Sequence, residues 1–249
     1  MKSTAGNSLA ARTVKSWLAT AALCLATYSI QAQSTTHLTR AMSLVSQLRA
    51  QGEAGHFFDN YGVEYNQYGA AWANSYITVG NPSYVHAVCS NFYIRLMTQS
   101  YPGWTAKGVG FSNASPSSEV IHDAIEANAC QYVKVSDFAN WHAGDVLVVK
   151  YFDDSANTGH TMILEQAEAE TAYDDGTVRW SVKVIDCSSG VHSNDSRVFP
   201  NYTSTGVGSG YLYVYTLNGH ITQYSWKQSS GSTLYPQNVR HMTLGRLAF

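Results

Sequence analysis

Cys89, His160 and Asp186 are the residues whose types and order could carry covalent chemistry in this chain. A thiol attacks a carbonyl carbon as its thiolate. A nearby imidazole takes the proton and later gives it to the leaving group, and a carboxylate on the far side of that ring fixes which nitrogen does so. Cys89 stands in Ser83-Tyr-Val-His-Ala-Val-Cys-Ser-Asn-Phe-Tyr-Ile-Arg-Leu-Met97, near the start of an apolar-periodic segment, and a helix N-terminus favours the thiolate. His160 opens the aliphatic run Gly159-His-Thr-Met-Ile-Leu164, and Asp186 closes the run from Val178. Asp174-Asp175-Gly176 between them is a hairpin signal. In an antiparallel pair the start of one strand lies beside the end of the next. Imidazole and carboxylate are therefore expected at one edge of a sheet, with the Cys89 helix packed over that edge.

The elements that must do this positioning follow from periodicity. Thr36 to Gln51 is expected to be helical, with Leu38, Met42, Val45 and Leu48 as its stripe and Gly52 as its stop. Gly55 to Gly80 is rich in Tyr, Asn and Gly and is expected to be loop with short elements. Val85, Val88, Phe92 and Leu96 form the stripe of the Cys89 helix, which starts at Ser83 or at Ala87. Ser117 to Ala129 is a third helix with Ser117 and Ser118 as caps. Strands are expected over Asp145–Tyr151, His160–Gln166, Val178–Asp186, Gly210–Thr216 and Ile221–Trp226, with Asn218-Gly219 as a second hairpin signal. Helices first and hairpin-linked strands afterwards predict an α+β fold.

The order of these segments resembles the NlpC/P60 superfamily of papain-like cysteine peptidases and amidases. In that family the nucleophile usually stands in Asp-Cys-Ser-Gly and the base in Gly-His-Val-Gly-Ile. Here Val88-Cys89-Ser90-Asn91 and Gly159-His160-Thr161-Met162-Ile163 occupy those places, and Gly144-Asp145-Val146-Leu147-Val148 matches the preceding strand. The match covers about residues 83 to 190. It departs from the family in Val88, where an Asp is usual, and in Asp186, where the third polar group is usually His. The resemblance implies a papain-like α+β catalytic domain acting on a cell-wall peptide amide such as one in peptidoglycan. Asp186-Cys187-Ser188-Ser189-Gly190 looks more like the nucleophile motif, but it follows a strand pattern, and no Gly-His-aliphatic strand comes after it.

Further site candidates are His192, which competes with Asp186 for the third role, and Tyr84, five residues before Cys89; both are expected to meet substrate. Ser188, Ser189, Asn194, Asp195 and Arg197 read as a polar loop near the cleft. His160, Asp186, Cys187 and His192 are metal-ligand types, but no C-x-x-C or H-x-x-x-H pair occurs, so neither a metal nor another cofactor is expected. Two other readings use the same residues: an inactive secreted binding protein, and a transglutaminase-like acyltransferase.

Composition narrows the setting. A formal net charge of −2, with 13% charged residues, gives no electrostatic footprint for nucleic acid. Lys2, Arg12 and Lys15 precede a short apolar run from Trp17 to Ile30, which reads as a secretory signal over residues 1–32. A single domain over 33–249, secreted or periplasmic and free of the membrane, is expected to follow. Beyond the signal, Cys89, Cys130 and Cys187 are an odd number for an oxidising compartment. Cys130 with Cys187 is the economical disulfide, worth about 3–5 kcal/mol in the chain-entropy model. It would leave Cys89 free, and other pairings stay open at this point.

Overall fold

Branched and aromatic residues concentrate after residue 130, and that half of the chain builds an eight-stranded sheet. A computed structural model describes residues 36–154 and 156–248; the expected signal segment lies outside them. The strands are β1 Asn66–Tyr68, β2 Tyr76–Thr78, β3 Tyr84–Ala87, β4 Tyr132–Lys134, β5 Val146–Tyr151, β6 Gly159–Ala172, β7 Thr177–Ser188, β8 Val198–Phe199, β9 Tyr202–Thr203, β10 Gly206–Leu217, β11 His220–Ser225, β12 Tyr235–Pro236 and β13 Arg240–Leu247. The large sheet runs β12-β11-β10-β7-β6-β5-β13-β4, and its neighbouring strands pair antiparallel. β1, β3 and β2 form a small sheet, and β8 pairs with β9. Among the described residues three α-helices, α1 over 36–53, α2 Cys89–Ser100 and α3 Ser118–Glu126, complete an α+β fold.

Both faces of the sheet centre are buried, for different reasons. Val146, Val148, Ile163, Ile185 and Cys187 face the helices and share a core with Leu44, Phe92, Leu96, Ile121 and Ile125. Leu147, Val149, Met162, Leu164, Val182, Val184, Leu212 and Val214 point the other way into a second core with Phe138, Tyr224, Met242 and Leu244. β11 and β13 touch although five places separate them in strand order. The sheet therefore curls, and its concave side encloses its own core. This is why the strands read as near-continuous apolar runs rather than alternating ones.

Several expectations are refined here. The stripe that α1 buries is Leu38, Ala41, Leu44 and Leu48, whereas Met42 is exposed; small Ala41 lets the helix sit close. Tyr84–Ala87 is a strand rather than a helical turn, because β3 pairs with both β1 and β2. The helix begins at Cys89, after Val88 in extended conformation. α3 stops at Glu126 rather than Ala129. β4, β12 and β13 carry no strong sequence signal; β13 inserts between β5 and β4 only because the long-range register allows it.

Cys130 and Cys187 are not joined; both are free thiols. Cys187 lies on β7 inside the helix-side core, and its Sγ donates to the Ala87 carbonyl at 3.1 Å. Cys130 sits in the turn after α3 with φ 53°, its Sγ against Gly110. Each thiol is held in its own surroundings, away from the geometry a disulfide needs. Unfolding the protein under non-reducing conditions should therefore expose both to iodoacetamide without prior reduction. Peptide mass spectrometry that recovered a Cys130–Cys187 cross-link would contradict this arrangement.

Candidate active site

The site is built around one buried carboxylate. Asp186, near the end of β7, is fully buried. Its Oδ2 accepts from His160 Nε2 at 2.7 Å and from His192 Nε2 at 3.0 Å. Its Oδ1 lies 3.1 Å from an Arg197 terminal nitrogen, an ionic contact without good hydrogen-bond geometry. Burial alone would push the Asp186 carboxyl up; the Arg197 and His192 charges and the histidine hydrogen bonds overcome that and hold it well below the carboxylate range.

Backbone chemistry explains how Arg197 reaches a buried position. β10 starts Gly206-Val-Gly-Ser-Gly210, and its Gly208 pairs across with Asp186. A side chain on Gly208 would overlap the Arg197 stem, and one on Gly210 would strike the His192 Cβ. The two glycines thus leave a shallow trough in which the 191–197 loop lies against the sheet. Asp195 locks that loop: its carboxylate accepts from Arg197 Nε at 2.8 Å, from an Arg197 terminal nitrogen at 2.6 Å and from the His192 backbone N–H at 2.8 Å. His192 Nδ1 lies 3.0 Å from the Trp226 carbonyl. Both of its ring nitrogens face acceptors, which holds the ring between the carboxylate and the Trp226 carbonyl.

Cys89 approaches from the helix side. It is the first residue of α2, where backbone N–H groups have no intrahelical acceptor. The start of α2 is fixed through Ala87, whose carbonyl accepts from Gly69 N–H and from the Cys187 thiol, and through Asn91, which bonds the Ala70 carbonyl and the Ser115 hydroxyl. On β6, His160 and Thr161 point to opposite faces. His160 bonds Asp186, and Thr161 donates to Ser118 Oγ at 2.8 Å. Ser118 Oγ in turn lies 3.4 Å from Cys89 Sγ. Because Thr161 fills the acceptor side of that hydroxyl, the Ser118 proton is free for the sulfur.

His160 Nε2 is committed to Asp186, so Nδ1 is the nitrogen left for the thiol. Burial raises the Cys89 pKa; the His160 charge and hydrogen bond, with those from Ser118 and the Thr161 backbone, reverse this and bring it below the ordinary thiol value. For His160, burial lowers the pKa, and the Cys89 and Asp186 interactions raise it above that of free imidazole. The two directions agree on a thiolate–imidazolium pair.

A cleft of about 360 Å³ opens over His160, with Cys89 buried behind it. Tyr68, Tyr151, Asn157, His160, His192 and Trp226 are among its walls, with Ser188 and Ser189 at one side and Lys227 at the rim. Trp226 meets the His160 ring edge-on at 5.4 Å and shields it. Tyr68 is half-buried; burial first, then the Cys89, Cys187 and Asp186 charges, push its hydroxyl up to about 12. It stays protonated and able to donate into the cleft at neutral pH.

Of the residues singled out in the sequence, Cys89, His160, Asp186 and His192 are brought together. Asp186 takes the third position, and His192 supports it from the other side. Tyr84 is elsewhere: on β3 the inward positions belong to Val85 and Ala87, and the Tyr84 ring packs on Tyr65 at 4.8 Å. Asp195 and Arg197 are buried supports rather than cleft walls. Sequence reasoning missed Ser118, read only as a cap, and also Thr161, Tyr68 and Trp226. The alternating glycines of 206–210 were the one signal that something large must lie across β10.

No family model matches this chain, and no solved structure matches it. An uncharacterised protein of Acanthamoeba polyphaga mimivirus is 28% identical over 133 residues, covering 47% of this chain. The chain spans 57% of that protein's length.

Two outcomes follow from the geometry. The pH dependence of Cys89 alkylation should show a pKa below the ordinary thiol value, because a depressed thiol is ionised above that lowered point. His160→Ala should raise it, since only the Ser118 and Thr161 hydrogen bonds are then left to oppose burial. Asp186→Ala leaves three donors facing an empty position and should destabilise the fold by about 3–5 kcal/mol, measured by urea unfolding.

Proposed function

We propose that the protein is a thiol-dependent amide hydrolase working through a Cys89 acyl-enzyme. The observation that carries this reading is the order Ser118–Cys89–His160–Asp186, in which every neighbour stabilises a thiolate–imidazolium pair whose imidazole lines an open cleft. Cys89 Sγ attacks the carbonyl carbon of a bound amide. Charge moves onto the carbonyl oxygen, where the unpartnered Cys89 N–H and the Tyr68 hydroxyl are placed to donate. His160 delivers its proton to the leaving nitrogen, and the C–N bond breaks. His160, neutral again, then takes a proton from water, which attacks the thioester and regenerates the thiol pair. Asp186 keeps His160 in the required tautomer throughout.

The papain-like reading is supported by the helix-borne cysteine, the neighbouring strands carrying base and carboxylate, and the resemblance to the NlpC/P60 superfamily. That resemblance also makes a cell-wall peptide, such as a peptidoglycan fragment, the substrate to try first. The secreted setting that this substrate requires rests on the signal-like N-terminal segment. A cleft walled by Tyr68, Tyr151, His192 and Trp226 suits a peptide laid across it.

The test is hydrolysis of a panel of peptidoglycan fragments and dipeptide amides. Release of a new amine that is lost in Cys89→Ala is the expected result, and no turnover of any amide by a protein whose Cys89 is reactive would remove the hydrolase reading. Tyr68→Phe should lower kcat by about 100-fold with little change in KM. The rate–pH profile should be a bell. Its acid limb should follow the lowered Cys89 value, and its alkaline limb should lie above the pKa of free imidazole because His160 is raised.

A further inference from the structure

Away from the cleft, α3 carries a second chemically distinct cluster. His122 and Glu126 are four residues apart on one helical face, and His241 reaches them from β13. One ligand atom of each lies within 4.8 Å of the others. We propose that His122, Glu126 and His241 bind one divalent transition-metal ion of the zinc type, clamping α3 to β13. The inference is independent of the chemistry assigned to Cys89.

The donors are already oriented for this. His122 is buried, and its Nδ1 lies 2.9 Å from an Asp123 carboxylate oxygen. That bond fixes the proton on Nδ1 and turns the Nε2 lone pair toward the cluster. A carboxylate behind a ligating imidazole is the outer arrangement that orients zinc-binding histidines. Asp123 is itself held by Lys150, with contacts at 2.8 and 3.1 Å. Glu126 Oε2 is taken by Lys134 at 2.6 Å, whereas its Oε1 is buried with no partner in good hydrogen-bond geometry, the Thr243 hydroxyl being its neighbour. One carboxylate oxygen thus remains available as a single ligand.

Spacing and charge fit the same ion. His122 Nε2 and His241 Nδ1 are 2.8 Å apart. Ligands of a tetrahedral zinc with bonds of about 2.0–2.1 Å stand about 3.3 Å from one another. The rings need to open by about half an ångström, the widest pair of ligand atoms, within 4.8 Å, must close by as much as about 1.5 Å, and His241 must carry its proton on Nε2. Two neutral imidazoles and one carboxylate leave a fourth position for water. The site lies on the same helical line as Ser118, one and two turns along, so the clamp would hold the element that presents a hydroxyl to Cys89.

The experiment uses the full chain carrying Cys89→Ala, so that the thiol does not compete for metal. Zinc chloride is titrated by calorimetry, and cobalt(II) by visible absorption. One equivalent of zinc is expected, with an intense cobalt d–d spectrum lacking a thiolate charge-transfer band. Adding His241→Gln or Glu126→Gln should weaken binding at least tenfold, and Asp123→Asn by about 10- to 100-fold. No stoichiometric binding, or binding equally tight in the His241→Gln and Glu126→Gln chains, overturns the site. Should those variants fail to fold, imidazole nitrogen NMR of the Cys89→Ala chain decides. Zinc-induced shifts of His122 and His241 support the proposal; shifts confined to His160 and His192 reject it.

Discussion

The buried Asp186 carboxylate is the interaction on which the rest of this structure depends. A lone ionised carboxylate in a protein interior costs several kcal/mol. Here Arg197, His192 and His160 surround it. His160 comes from β6 and both His192 and Arg197 from the loop before β8, so satisfying one charge ties together β6, β7 and that loop. Removing any partner exposes the others, which is why the 191–197 loop and β10 are shaped around this point.

The same charge propagates into chemistry. Asp186 stabilises the His160 imidazolium, which stabilises the Cys89 thiolate against a burial penalty that would otherwise keep the thiol neutral. Ser118 and Thr161 add hydrogen bonds from the opposite side of β6. A strand whose successive residues point to opposite faces is well suited to this: His160 serves the carboxylate, and Thr161 serves the helix. Because Cys89 and Asp186 are buried and only an edge of His160 faces the cleft, the charge interactions within the pair are weakly screened.

Two polar features beside the site act as support. Cys187, in the segment most like a nucleophile motif, fastens the residue two before Cys89. Burial and the adjacent Asp186 charge push its thiol well above the ordinary value, so it stays an inert hydrogen-bond donor. Asp195 and Arg197 form a closed pair that secures the loop rather than meeting substrate. In both cases a polar side chain was placed in the interior by the need to satisfy a neighbour.

The sequence by itself determined the α+β class, the strand hairpin that sets His160 beside Asp186, and Cys89 as the thiol near a helix start. These are local facts: hydrophobic period, turn residues and cap position are written in contiguous residues. Only the tertiary structure decided the rest. The extent of the Cys89 helix depended on β3 finding partners in β1 and β2, which no local period records. The Cys130–Cys187 pairing inferred from an odd cysteine count failed because compartment arithmetic carries no distance information. Tyr84 lost its place to Tyr68 because strand pairing turns Tyr84 outward while the cleft is lined from β1. Ser118, Arg197 and the His122–Glu126–His241 cluster are built from segments far apart in the chain. Sequence spacing does not register a contact that exists only after the sheet has curled and the helices have packed on it.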